Sequence, residues 1–275
     1  MLVNTKKMLE EFHNSTHALP SPDFFNFDTM KCHIEVAEEL NMPLILAFAD
    51  SIQGYGFTFE EAANIAKIYA EKASVPVALH LDHGSSVEVC KKCADLGFTS
   101  VMIDASSESF EENVRRTKEV VDYCKPLGIT VEAEIGHVGQ GSEFVDASKN
   151  DNVYTTVEEC KKFVELTGID SVAISIGTAH GAYKGTPIIN FDRLQEIRKE
   201  VNVPLVLHGG SSSGDENLKK CAELGISKIN IFTDIISKGY EVYKTGEAKS
   251  LMDLSVDAHN AMKEVLKHYY NLFGR

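Results

Sequence analysis

The stretch Val75-Pro-Val-Ala-Leu-His-Leu-Asp-His-Gly-Ser-Ser-Val-Glu-Val-Cys-Lys-Lys-Cys-Ala-Asp-Leu-Gly97 contains one complete structural unit. Val75–Leu81 is a continuous apolar run of strand length. Ser86–Leu96 has helical spacing, and Gly97 stands where a C′ glycine is expected. A strand that is apolar throughout, rather than alternating, belongs to a parallel sheet covered on both faces. The run then meets ionisable side chains at its carboxyl end, in His80-Leu81-Asp82-His83-Gly84.

The same unit repeats outward in both directions. Strand-like runs occupy Pro43–Phe48, Thr99–Asp104, Thr130–Ile135, Ser171–Ile176, Pro204–His208 and Lys228–Phe232. Amphipathic stretches lie between and around them at Thr29–Leu40, Phe59–Ala73, Glu108–Cys124, Thr156–Leu166, Phe191–Val201, Asn217–Leu224 and Ile235–Thr245. Gly128, Gly168 and Gly225 mark further helix ends. A weaker eighth strand is placed at His17–Leu19. Eight such units in 275 residues, with no linker dividing them, predict a single α/β domain over 1–275 closed as a (β/α)8 TIM barrel. A doubly wound open sheet is the alternative. One connection, Gly136–Tyr154, is long and lacks periodicity, as functional loops of compact domains often do.

Composition excludes several classes. Lys and Arg number 27 against 41 Asp and Glu, a net charge of −14, so no nucleic-acid partner is expected. No apolar run approaches the roughly 20 residues of a membrane span, and no signal-peptide run is present, so a cytoplasmic enzyme with no membrane partner is expected. The six cysteines read as free thiols, and Cys90-Lys-Lys-Cys93 as two packed thiols on one helix face.

In an α/β barrel, chemistry collects at the carboxyl ends of the strands. Those ends here read His80–Gly84, Ile103-Asp104, Glu132-Ala133-Glu134, Gly177–Gly181, Leu207–Ser211 and Asn230–Asp234. Three imidazoles from three strand ends, His83, His180 and His208, have the composition of a catalytic zinc site with an open position. His80 shares a face with Asp82 and reads as a supporting residue behind the ligands. His13, His33, His259 and His268 lie on helices or near a terminus and read as solvated or capping groups. Asp82 is placed for acid/base work on a metal-held substrate, or for ligation. Asp104 and Glu134 offer a second hard-oxygen position, or a salt bridge to a lysine inside the barrel. Gly209-Gly-Ser-Ser-Ser-Gly214 opens a helix and forms a phosphate cradle, with Asn230–Thr233 as its second wall.

In their order and spacing, HLDHG (80–84), SVMIDAS (100–106), VEAEIGHVG (131–139), GTAHGAYKG (177–185), LHGGSS (207–212) and KINIFTD (228–234) resemble the class II, metal-dependent fructose- and tagatose-bisphosphate aldolases. The resemblance spans about residues 75–235 and continues weakly into the C-terminal helix. It implies a dimeric or larger (homodimer or homotetramer) barrel enzyme that cleaves a ketose phosphate reversibly to dihydroxyacetone phosphate and an aldehyde. It implies zinc on His83, His180 and His208, with Asp104 and Glu134 at an alternate metal position. Asp82 corresponds to the acid/base acting on the C4 hydroxyl. Gly181, Gly209, Gly210, Ser211, Asn230 and Thr233 correspond to contacts with dihydroxyacetone phosphate. A monovalent cation, Na+ or K+, near Gly181 and Gly209 is also implied.

The sequence departs from the family in places. The family's loop base falls in a Gly-Gly-x-Glu-Asp pattern, whereas here Gly139-Gln140-Gly141-Ser142-Glu143 shifts the acid by one residue, so Glu143 is the expected base. The Ala-Phe-Asn usual at the first strand end appears only in part, as Phe24-Phe25-Asn26 after Pro20-Ser21-Pro22. Ala49 stands where a serine is common. Asp253-Leu254-Ser255 replaces the Asp-Pro-Arg whose arginine reaches a distal phosphate. Fructose or tagatose 1,6-bisphosphate is the first expectation for substrate, with weak discrimination against 1-phosphates unless a cation such as Lys184 compensates. A sugar-phosphate sensor and a metal-dependent hydrolase on the same barrel are the competing readings. No lysine stands at a strand end for a Schiff base, since Lys228 begins its strand.

Overall fold

The computed structural model describes residues 1–136, 138, 154–181 and 187–274. Its strands are β1 (Leu19–Pro22), β2 (Leu44–Ala49), β3 (Val77–Gly84), β4 (Ser100–Ile103), β5 (Thr130–Ile135), β6 (Ser171–Ile174), β7 (Leu205–Leu207) and β8 (Ile226–Ile231). They form one eight-stranded parallel sheet in the order β1-β8-β7-β6-β5-β4-β3-β2. The first and last strands of that order meet at a seam. There Asp23 bridges Ala47 in parallel, and Phe24 gives its N–H to the Ala47 carbonyl at 2.9 Å. The sheet is thus a nearly closed barrel.

The seam has a local cause. Strand residues alternate the edge to which their backbone groups point. Phe24 points to β2, so Pro20 and Pro22 point there too and have no N–H to give. The ladder to β2 begins only beyond the prolines. The first strand was expected at His17–Leu19; the paired residues are Leu19–Pro22, because the prolines face the side where pairing is sparse.

Helices cover the outside: α2 (Phe27–Leu40), α3 (Phe59–Lys72), α4 (Val87–Leu96), α5 (Phe110–Cys124), α6 (Val157–Thr167), α7 (Phe191–Glu200), α8 (Asp215–Glu223) and α9 (Thr233–Thr245). Their starts follow capping chemistry. Asn26, Thr58, Ser86, Ser109, Thr156 and Asn190 each accept the backbone N–H three residues on. A longer helix, α10 (Leu251–Leu272), packs against α9 and α2. A short helix not anticipated from the sequence, α1 (Lys6–His13), buries Met8, Leu9 and Phe12. All six cysteines are buried free thiols. Among the described residues no helix is long and apolar enough to cross a membrane.

Candidate metal and substrate site

The carboxyl ends of the strands open into a cavity of about 420 Å³. Its wall includes Asp23 from the β1 end, Ala49 from the end of β2 and Ser51 after it, Asp82 and His83 from β3, and Asp104 after β4. His180, Gly181, Gly209, Gly210, Ser211, Asn230 and Thr233 complete it on the β6 to β8 side. Glu143 and Lys184 lie outside the described residues.

His83, His180 and His208 converge. One ring nitrogen from each lies within 4.8 Å of the others. The backbone of His83, next to the last residue of β3, is left-handed, with φ 46°. Nε2 of His83 and Nε2 of His180 are buried without a hydrogen-bond partner among the described residues. A buried imidazole nitrogen left unpaired is costly, so these atoms are placed for a ligand that protein groups do not supply. Three imidazoles, two of them with a free Nε2, fit zinc in donor type and number.

Carboxylates fix the rings. Asp104 Oδ2 accepts from His83 Nδ1 at 2.7 Å, and its Oδ1 accepts from Ser106 N–H and Oγ–H at 3.1 and 2.8 Å. Glu134 Oε2 is bonded to His208 Nδ1 at 2.8 Å, and Oε1 accepts from Val138 N–H at 3.0 Å. The sequence left Asp104 and Glu134 open between a metal position and a lysine salt bridge. In the structure each is bonded to an imidazole, the arrangement by which carboxylates orient metal-binding histidines.

The interior lysine pairs elsewhere. Lys228, fully buried, donates to both oxygens of Glu132 at 2.8 and 3.0 Å. Glu132 Oε1 is also 3.1 Å from His208 Nε2. His80 bonds Ser100 Oγ through Nδ1 at 2.8 Å and lies 3.2 Å from Lys228 through Nε2. It therefore supports the histidine cluster one step removed, through Lys228 and Glu132. The sequence reading passed over this layer. Its signal was present: Glu132 shares a strand face with Glu134.

The electrostatics follow from burial and neighbours. Burial works to raise the Asp82 pKa, but His83, His208 and Lys228 hold it below the ordinary range. Burial drives His180 down to about 4, helped by its two histidine neighbours. His208 moves the other way despite burial, up to about 10, because Glu132 and Glu134 bond its two nitrogens. Asp82 Oδ1 accepts from Asn230 Nδ2 at 2.9 Å, and the residue is 4% exposed.

The glycine-rich turn after β7 meets the start of α9. Ser211 Oγ accepts from Phe232 N–H and Asp234 N–H at 3.1 and 3.3 Å. Gly210 gives its N–H to Asn230 O at 3.1 Å, so its own contribution is space. A Cβ on Gly210 would lie 2.8 Å from Asn230 O, and one on Gly209 2.2 Å from Ala179 O. The sequence placed the helix opened by residues 209–214 at the phosphate. In the structure α8 begins beyond the cavity wall, at Asp215, and the helix start that lines the cavity is Thr233 of α9. Ser212, at φ 60°, turns the chain away between them.

Asp23 is the residue that sequence reasoning missed. Asn26, assigned to the strand end, instead caps α2 by accepting from Thr29 N–H at 3.0 Å. Asp23 occupies the strand end and the cavity wall.

Comparison with known proteins agrees with this geometry. The family model "Fructose-bisphosphate aldolase class-II" matches residues 3–275. The chain belongs to that family. As a class II aldolase it is an enzyme, a carbon–carbon lyase. It is 37% identical over 274 residues to the uncharacterised protein YdjI of Escherichia coli (strain K12), covering 100% of this chain and 98% of that protein. The crystal structure of the YdjI aldolase superposes with a TM-score of 0.90 at 35% identity, covering 100% and 98% of the two chains. A candidate fructose-1,6-bisphosphate aldolase from Coccidioides immitis superposes at 0.86 with 32% identity, over 97% and 94%. Fructose-bisphosphate aldolase from Campylobacter jejuni, at 20% identity and a TM-score of 0.81 over 99% and 95%, shares the fold.

Proposed function

We propose that this class II aldolase reversibly cleaves a ketose carrying phosphate on C1, giving dihydroxyacetone phosphate and an aldehyde. Fructose and tagatose, as 1,6-bisphosphates or 1-phosphates, are the candidate sugars. The observation that carries the reading is the convergence of His83, His180 and His208 at the cavity whose wall holds His83, His180 and Asp82.

His83, His180 and His208 would hold a divalent cation, zinc by donor type. When bound, it supplies a Lewis acid for the ketose carbonyl. Asp82 takes the proton of the C4 hydroxyl as the C3–C4 bond breaks, and the electron pair stays on C3. Its ionised state suits a base, and Asn230 fixes one of its oxygens. Glu143 is the group that returns a proton to C3, and the reverse step uses it as the base. Thr233 and Ser211 hold the C1 phosphate at the start of α9, where the helix dipole favours an anion. Exposed Tyr240, Leu251, Met252 and Val256 on α9 and α10 support assembly of the chain into a dimer or larger oligomer.

An aldol-cleavage assay on the four ketose phosphates, read as dihydroxyacetone phosphate released, tests the proposal. Release from at least one is the expected result. No release from any, with no proton exchange on dihydroxyacetone phosphate, would refute it.

A further inference from the structure

The wall of the cavity formed by the β1 and β2 ends has an acid where the aldehyde half of the substrate would lie. Asp23 is 5% exposed, and its Oδ1 is buried with no hydrogen-bond partner among the described residues. Its backbone is fixed on two sides. The carbonyl accepts from His33 Nε2 at 2.9 Å, and the residue bridges Ala47 across the barrel seam. A fixed backbone carrying an unsatisfied buried oxygen marks an acceptor kept for a ligand that donates.

The charge around it is one-sided. The described residues lining the cavity include Asp23, Asp82 and Asp104 but no lysine or arginine. Asp82 on β3 is the register partner of Ala49 on β2, and Asp23 bridges Ala47 from the other side of that strand, so a ketose with its C4 hydroxyl at Asp82 brings its aldehyde half to the β1 and β2 ends.

We propose that Asp23 is a specificity-determining residue that accepts a hydroxyl of the departing aldehyde and turns away an anionic group there, so that the substrates are ketose 1-phosphates with an uncharged polyol tail. The inference rests on the aldolase reading above. Hydroxyls bring the donors that Oδ1 lacks. A phosphate dianion brings acceptors, with no lysine or arginine in the described wall to pair with them.

The test is acceptor choice in the condensation direction. Zinc-loaded enzyme receives dihydroxyacetone phosphate with either glyceraldehyde or glyceraldehyde 3-phosphate, and kcat/KM is compared. Effects of Asp23 on Asp82 fall on both reactions and cancel in the ratio. We expect the wild type to favour glyceraldehyde at least tenfold. Asp23→Asn keeps the shape and replaces one acceptor oxygen with a donor amide, and should lower that ratio at least tenfold. Asp23→Ser provides a second variant should the first misfold, and zinc content reports folding of each. A wild-type preference for glyceraldehyde 3-phosphate, or a ratio unchanged in both variants, would overturn the inference and direct attention to Lys184. Proton exchange on dihydroxyacetone phosphate without turnover of either aldehyde overturns it too, while leaving the aldolase reading standing. Absence of that exchange in the wild type removes both.

Discussion

Asn230, on β8, donates through Nδ2 to Oδ1 of Asp82, on β3, at 2.9 Å across the barrel mouth. The two strands lie three places apart around the ring, so only a closed barrel brings these residues together. The bond ties down one oxygen of a buried carboxylate and leaves the other for the substrate.

Asp82→Ala should therefore retain metal and lose turnover by about a hundredfold or more, the weight of a positioned general base. Metal content and kcat measured on the same preparation decide this. Loss of metal together with activity would make Asp82 a ligand.

Asp104→Ala should weaken metal binding by about ten- to a hundredfold without abolishing it, because Asp104 orients His83 through a 2.7 Å bond. Chelator competition gives the affinity. A variant that binds no metal at all would place Asp104 among the direct ligands.

Lys228→Met should destabilise the fold by about 3–5 kcal/mol, since the buried Glu132 would lose the cation bonded to both its oxygens. Denaturant unfolding at neutral pH measures it. Lys228→Met combined with Glu132→Leu should recover part of the loss, and a double variant no better than the single one would contradict the pairing argument.

These two carboxylates show what was legible in the sequence. The apolar runs ending in His83, His180 and His208 located the strands and the cluster, because burial on both faces leaves a continuous hydrophobic signature. The helix starts were legible through their caps, as at Ser86 and Thr156. Which partner each carboxylate takes was not legible. Glu132 and Glu134 stand two residues apart on one strand face, and only the closed barrel brings Lys228 of β8 to the first, while the chain just after β5 gives Val138 N–H to the second. Asp23 was hidden by register: the Phe24-Phe25-Asn26 likeness drew the strand end three residues too far. The pairing of Asp23 with Ala47 depends on contacts far apart in sequence.

His33 predicts a pH dependence of stability. Its Nε2 donates to the Asp23 carbonyl, Nδ1 is buried and unpartnered, and burial drives its pKa down to about 4. The unfolded chain holds a proton there below about 6.5, so it binds more protons than the folded chain between those values. Stability is full above pH 6.5 and falls as pH drops toward 4, by about 3 kcal/mol for this group alone. His33→Gln keeps a donor and removes the titration, and should flatten that part of the curve. An unchanged slope between pH 6.5 and 4 in urea unfolding would show that His33 is protonated in the fold.

Metal-dependent cleavage is the most direct test of the central claim. The measurement is release of dihydroxyacetone phosphate from the best of the four ketose phosphates, before and after exhaustive chelation, and again after zinc or cobalt is restored. The account predicts that chelation abolishes release, that either metal restores it, and that His180→Ala prevents restoration. Full release from metal-free enzyme, with borohydride trapping a substrate adduct on a lysine, would contradict it.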